Sequence, residues 1–479
     1  MVQMLRPWEL HINLDFKNDK AIYLQIADAI VEAIKSGQLK SNDYLPGTRK
    51  LAKLLKVNRN TIVKALDLLL IEGWLTSVER KGIFVSNLAS LKQNQSNAKG
   101  YEEKNLAFTS PQTASIIFDD GAPDTKLAPI DDLAKAYREI FGRKGRRQMM
   151  GYTEANGDAL FREALSQMLN FNRNLTTKAE QIIVTRGSQM AMYLIAHSLF
   201  NQGDYVIVEN PGYKPAWLAF QSAGATLIPV TVDGEGIVID DMIEVLKKQP
   251  IKAIYITPHH QFPTTVSLSL QRRYKLIELS QQYGFSIIED DYDHDFHFAA
   301  RPIFPIGSLA DIENYIYIGT LSKIVAPALR IGYLYSTQRD LVDKIIALRK
   351  IIDIQGDTMM EQAVLELINN GTIKRHLKRA TLNYLRKRDY FEMLLKQHLD
   401  FEINFQKPTG GLAYWLQPKK KIDIFKLANQ LENKGIKILT PDKFSFNEPI
   451  MGLRLGFASL SEEELEIGIK NIALLLKQL

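Results

Sequence analysis

The chain has no cysteine among its 479 residues. That excludes a disulfide framework and thiolate-held zinc, and it suits a reducing compartment. Nor is there an apolar run long enough to span a bilayer. The opening stretch, MVQMLRPWELHINLDF, carries charges and lacks the apolar core of a signal peptide. A cytoplasmic protein with no membrane partner is the expectation. A strong charge of one sign is missing too. With a net charge of only +6, any surface for a polyanion must be a local patch. What is present is ordinary: 46% hydrophobic and 24% charged residues, which exclude a disordered chain. The length exceeds one compact core, so two to four domains are expected.

The first block runs over residues 1–86. AIYLQIADAIVEAIKSG has apolar residues at helical spacing, Ile26, Ile30, Ala33 and Ile34, with Gly37 where a helix would stop. LPGTRKLAKLL restarts a helix with Thr48 as its expected cap. KVNRNTIVKALDLLLIEGW gives a turn and a third helix capped by Asn58. WLTSVERKGIFVS reads as two strands around Arg80, Lys81 and Gly82. Helix, helix, turn, helix, hairpin is the layout of a winged helix-turn-helix. In the third helix Ile62, Leu66, Leu69 and Leu70 form the core stripe, while Arg59, Asn60, Thr61 and Lys64 fall near its start and off that stripe. This is the end of a recognition helix that meets base edges in the major groove. Arg49, Lys50, Lys53 and Lys56 add charge suited to phosphates, and Lys81-Gly82 in the wing reach toward the adjoining groove.

Residues 87–113 are rich in Asn, Gln, Ser and Lys and read as a linker. Residues 114–479 then alternate strand-like runs with helical stretches. The runs lie at 181–185, 204–209, 226–230, 253–257, 285–290 and 315–320. Strands apolar on both faces predict a mostly parallel sheet covered by helices, an α/β fold. From about residue 374 a long helix followed by mixed elements predicts a smaller α+β subdomain.

In EDDYDHDF, a buried-looking strand ends in acids with a tyrosine among them; GTLSKIVAPALRIGY carries one lysine after a hydroxyl-rich turn. These residue types are the parts pyridoxal 5′-phosphate (PLP) requires. Lys323 is the candidate for the amine that forms a Schiff base. Asp290 is the candidate partner of the pyridine nitrogen, where an acid keeps the ring protonated so that it draws electrons. Tyr292 can donate to the ring oxygen and Tyr213, in ENPGYKPAW, can stack. Ser188 and Gln189 open a helix after Gly187, where free N–H groups favour a phosphate. Thr320, Ser322 and Arg330 converge near the lysine and suit the same anion. Metal binding by His294 and His297 is a weaker rival, and no metal is expected.

Two resemblances follow from these residues. YLQIADAIVEAIKSGQL…LPGTRKLAKLLKVNRNTIVKALDLLLIEGWL…RKGIFV resembles the GntR-type winged helix. The likeness implies DNA contacts from Arg49, Arg59, Asn60, Thr61 and the wing tip. GYTEANGDALFREAL, ENPGY, TPHHQFPT, EDDYDHDF, GTLSKIVAPALRIGY, PTGGLAYWL and LRLGFASL resemble, in order, fold-type I PLP enzymes of the aminotransferase class. That likeness implies the PLP roles given above and assigns Arg454 to a ligand carboxylate. Phe262 stands where the family has Asn, and Thr265 and Ala328 where it has glycine, which counts against efficient turnover. Joined in one chain, the halves resemble MocR/GabR-type regulators. The resemblance implies a PLP-dependent, homodimeric transcription regulator that binds operator DNA and senses PLP or a small amino compound. An active aminotransferase carrying a DNA-binding domain is the alternative. Pro215 occupies the position where GABA-responsive members carry an extra arginine.

Overall fold

The computed structural model describes residues 12–16, 20–78, 81–86, 115–142, 150–299 and 303–478. The linker expected at 87–113 and the wing residue Arg80 lie outside them. Two compact units divide the chain, Met1–Phe108 and Thr109–Leu479. Among the described residues no helix is long and apolar enough to cross a membrane.

The first unit is three helices and a hairpin: α1 (Ile22–Lys35), α2 (Thr48–Leu55), α3 (Arg59–Ile71), β1 (Leu75–Val78) and β2 (Gly82–Val85). The expected stripe of α1 is buried, and Gly37 follows its end at φ +78°. Helix α2 starts one residue earlier than the sequence suggests. Gly47 is the cap and Thr48 the first helical residue; the Thr48 hydroxyl instead accepts from Arg59 Nε at 3.4 Å. Asn58 caps α3 as expected, accepting from the Asn60 N–H at 2.8 Å. Ile62, Ala65, Leu66 and Leu69 of α3 pack on Ile26, Ile30 and Leu51, while Leu70 is only half-buried. The strands pair antiparallel, Leu75 opposite Val85. Gly82 is required where it stands: at φ +109°, a Cβ would lie 2.6 Å from the Tyr44 ring.

In the second unit β3 (Ile116–Ile117) is followed by the strands of the main sheet. These are β4 (Ile182–Thr185), β5 (Tyr205–Asn210), β6 (Thr226–Asp233), β7 (Gly236–Ile237), β8 (Ile251–Ile256), β9 (Ser286–Asp291), β10 (Tyr315–Thr320) and β11 (Gly332–Ser336). Their order is β4-β11-β10-β9-β8-β5-β6-β7. The run β10-β9-β8-β5-β6 is parallel; β11 runs against both its neighbours. Alternation along the strands feeds two cores. Ile207, Ile254, Ile287 and Tyr317 lie in one, and Val206, Val208, Ile288, Ile316 and Ile318 in the other. Helices therefore cover both faces, as strands with no polar side require.

The smaller body holds the helix Thr372–Leu399, the antiparallel sheet of β12 (Ile403–Phe405), β13 (Ala413–Pro418) and β15 (Leu453–Gly456), and the helix Glu462–Leu476. It also recruits the start of the unit: β3 pairs in parallel with β14 (Ile436–Lys437), and Ile116 and Phe118 enter its core.

Candidate functional site

The parallel strands deliver their C-terminal ends to one place, where ligands of open α/β sheets bind. Asp290 is the penultimate residue of β9, and Tyr292 follows the strand. Thr320 ends β10, with Ser322 and Lys323 in the next turn. Ser188 opens the helix after β4, and Tyr213 follows β5. A cavity of about 190 Å³ is lined by Ser188, Tyr213, Asp290, Tyr292, Thr320, Ser322, Lys323 and Arg330 together. Residues separated widely in sequence thus meet in a single pocket. Gln189 does not line it; its amide donates to Pro215 O at 3.1 Å.

Asp290 is buried, and burial pushes its carboxyl up to about 7. Oδ2 accepts from Tyr255 OH at 2.7 Å, while Oδ1 is buried with no hydrogen-bond partner. Lys323 Nζ donates to Gly121 O at 2.9 Å and stands 4.5 Å from the centre of the Tyr292 ring. The Tyr292 hydroxyl donates to His260 O at 2.7 Å. Thr320 and Ser322 hydroxyls both donate to Ile331 O, at 3.2 and 3.3 Å. Gly187 holds φ +78° at the mouth of the Ser188–Leu199 helix, and a Cβ there would lie 2.7 Å from Arg330 Nη2. The arginine reaches the helix N-terminus because that residue is glycine.

Arg454 lies on β15, 1% exposed. Its donors meet Asp120 O at 2.8 Å, Pro263 O at 2.9 Å and Tyr292 OH at 3.3 Å, and its guanidinium stacks 4.7 Å from the Phe262 ring centre. Among the described residues it has no carboxylate partner at salt-bridge distance. A fully buried cation without an anion is costly unless something supplies one.

Sequence reasoning missed the segment that joins these groups. Asp119 Oδ1 accepts from the N–H groups of Gly121 and Ala122, both at 2.8 Å, and folds FDDGAP into a turn. That turn offers adjacent carbonyls, Asp120 O and Gly121 O, to Arg454 and Lys323. The signal was available, because Asp-Gly before a proline is a turn signature. Glu209 was missed too. It is buried beneath the site, accepts from the Thr257 N–H and hydroxyl, and burial raises its carboxyl to about 7.

Two features bear on turnover. Thr265 sits at φ +63°, a left-handed conformation that β-branched residues adopt only under strain and glycine adopts freely. Phe262 joins Trp415 and Phe444 in an aromatic cluster and contacts Tyr213 edge-on at 5.2 Å. It carries no polar group toward the pocket. Ala328 is exposed, so its methyl is easily accommodated.

On the first unit, Arg59 and Asn60 are exposed at the start of α3. Thr61 is half-buried, and Lys64 is exposed one turn on. Arg49, Lys50 and Lys53 are exposed on α2, and Lys81 is exposed beside Gly82 at the hairpin. Among the described residues none of Arg49, Lys50, Lys53, Arg59 and Lys64 is held in a salt bridge, so their charge remains outward.

Residues 115–472 match the family of aminotransferase class I and II. The chain belongs to that family. Residues 22–85 match the bacterial regulatory proteins of the gntR family, so this aminotransferase-family chain also carries a DNA-binding domain of regulator type. Among curated proteins it is 26% identical to the probable rhizopine catabolism regulatory protein MocR of Rhizobium meliloti, over 96% of this chain and 94% of that one. Among solved structures the second unit is similar to an archaeal alanine:glyoxylate aminotransferase, at a TM-score of 0.72 and 30% identity. That match covers 76% of this chain and 91% of the other. It is likewise similar to the kynurenine aminotransferase of Pyrococcus horikoshii, solved with PMP, at 0.71 and 26%, over 76% and 91%. The pure aminotransferases cover about three quarters of the chain, whereas the regulator aligns with nearly all of it. The two-domain make-up is that of MocR-type regulators.

Proposed function

We propose that this protein is a PLP-dependent transcription regulator. In this reading its gntR-type unit binds double-stranded operator DNA, and its aminotransferase-family unit senses PLP, or a small amino compound through PLP. The observation that carries the reading is the pocket that holds the Lys323 amine beside the orphaned Oδ1 of Asp290, in a chain that also bears an exposed cationic α3.

The residues present fit the cofactor. Lys323 offers the amine, and Asp290 Oδ1 has a free acceptor site for a protonated ring nitrogen. Tyr213 and the helix mouth at Ser188, with Thr320, Ser322 and Arg330, would hold the ring and the phosphate. Bound PLP supplies an electron-drawing ring and an aldehyde that a primary amine can engage. The chain's own groups do the rest. Tyr255 fixes the Asp290 carboxylate, Gly121 O orients the Lys323 ammonium, and Arg454 awaits a carboxylate from a small ligand. Such a ligand would draw Arg454 away from the carbonyls of Asp120 and Pro263, and so loosen the tie between β15 and the turn at 119–123. A homodimer is part of the proposal, with sedimentation at working concentration as its check.

Incubating the full chain with PLP, reducing with borohydride and mapping the modified peptide tests the cofactor assignment. Label on Lys323, absent from Lys323→Ala, is expected; label elsewhere or nowhere overturns it. The second reading, an active aminotransferase, is favoured by Arg454 and opposed by Phe262 and the strained Thr265. Sustained amino transfer from an amino acid to a 2-oxo acid would favour it over pure sensing.

A further inference from the structure

Four of the eight histidines, His259, His260, His294 and His297, line a second cavity of about 140 Å³. It belongs to the other face of β9. Alternation turns Glu289 and Asp291 away from the side that Asp290 faces. His259 Nδ1 lies 3.1 Å from Asp291 Oδ1 and 3.8 Å from Glu289 Oε1. One ligand atom each from His259, Asp291 and His294 falls within 4.8 Å of the others, and all three residues are buried.

The outer atoms of these groups are already committed. His259 Nε2 and His294 Nε2 both point at Ile303 O, at 2.6 and 3.1 Å, which places the ring protons on Nε2 and the lone pairs on Nδ1. Asp291 Oδ2 accepts from Tyr317 OH, and Glu289 Oε2 accepts from Tyr315 OH and from the Ile306 N–H. The inner atoms are left over. His259 Nδ1, His294 Nδ1, Asp291 Oδ1 and Glu289 Oε1 are all buried without a hydrogen-bond partner; the 3.1 Å approach of His259 to Asp291 lacks hydrogen-bond alignment. A metal-ligating imidazole donates its other ring N–H to a carbonyl or carboxylate, and a ligating carboxylate is itself hydrogen-bonded; Ile303 O and the Tyr315 and Tyr317 hydroxyls stand where such outer partners would.

We propose that His259, Asp291 and His294 bind a divalent transition-metal ion of the zinc class, with Glu289 available as a fourth ligand. Nitrogen donors argue against calcium and magnesium, which take oxygen sets. Zinc–ligand lengths of about 2.0–2.2 Å put tetrahedral ligand atoms roughly 3.3 Å apart, so shifts of about an ångström close the cluster. The ion would brace the loop after β8, which carries Phe262, against the end of β9, which carries Asp290 and Tyr292. It would stiffen the sensor pocket from behind without entering it. The site does not depend on PLP binding or on DNA binding.

The test is titration of chelator-stripped full-length protein with Co²⁺. Expected are one ion per chain, the visible absorption of four- or five-coordinate Co²⁺, displacement by Zn²⁺, and none by Mg²⁺. His259→Ser and His294→Ser should each weaken binding at least ~10-fold, the scale on which even outer-layer partners act. The exposed His197→Ala should leave it unchanged. If a serine variant loses its native near-ultraviolet dichroism, Asp291→Asn, which keeps the side-chain shape, answers in its place. Absence of stoichiometric Co²⁺ binding by the wild-type chain, or binding that survives in folded His294→Ser or Asp291→Asn at full strength, overturns the site.

Discussion

Asp290 and Glu361 are both buried carboxyls pushed up to about 7, yet they stand in different relations to their surroundings. Asp290 leaves one oxygen unpaired toward a pocket that contains an amine. A charge-assisted bond to a ring nitrogen is worth about 1.5–3 kcal/mol, so Asp290→Asn is expected to weaken PLP about 10–100-fold in an absorbance titration; unchanged affinity would remove Asp290 from the site. Glu361 lines a different cavity, of about 170 Å³, with Arg330 and Arg349 and no lysine. Its Oε2 accepts from the Asp158 N–H at 2.6 Å, while desolvation favours its neutral form. With the folded pKa above the unfolded one, the folded state binds the extra proton between the ordinary carboxylate range and about 7. Stability therefore falls as pH rises through that window and is level above it. Glu361→Gln should flatten the slope, by up to about 3 kcal/mol across the window, read from melting midpoints between pH 5 and 8. A wild-type profile that does not fall would contradict the assignment.

At the scale of elements, α3 is the most exposed to test. Asn58 caps it through the Asn60 N–H, so Asn58→Ala should cost about 1 kcal/mol and speed hydrogen exchange of the α3 amides. Arg59→Ala and Asn60→Ala should leave that exchange unchanged but cost about 1–3 kcal/mol in specific DNA binding. Equal loss on specific and random DNA would mean that they contact only phosphate. Elements were legible where one force dominated. The parallel strands announced themselves as apolar runs, and Ile26, Ile30 and Leu66 as a helical stripe, because burial alone decides them. The strand β11 did not, since GYLYS follows Arg330 without a turn signal, and its direction is set by antiparallel pairing to β10 and β4. The pairing of β3 with β14 is a contact between distant parts of the chain that no local pattern encodes. The site divides the same way. Lys323, Asp290 and Tyr292 could be picked from their residue types at strand ends. The FDDGAP turn under Lys323 and the approach of His259 to Asp291 depend on which loops the topology brings together.

For the whole molecule, the account requires that what happens in the pocket alter what happens at DNA. A ligand does so only through different affinities for two states, and such coupling is typically about 5–150-fold. The decisive measurement is binding of the full-length protein to DNA upstream of its own gene and its neighbours, with and without PLP, at fixed salt, beside Lys323→Ala. The account predicts a specific complex whose affinity or footprint changes with PLP in the wild type and not in Lys323→Ala. Specific binding that PLP and small amino compounds leave unaltered, or no specific binding at all, would contradict it.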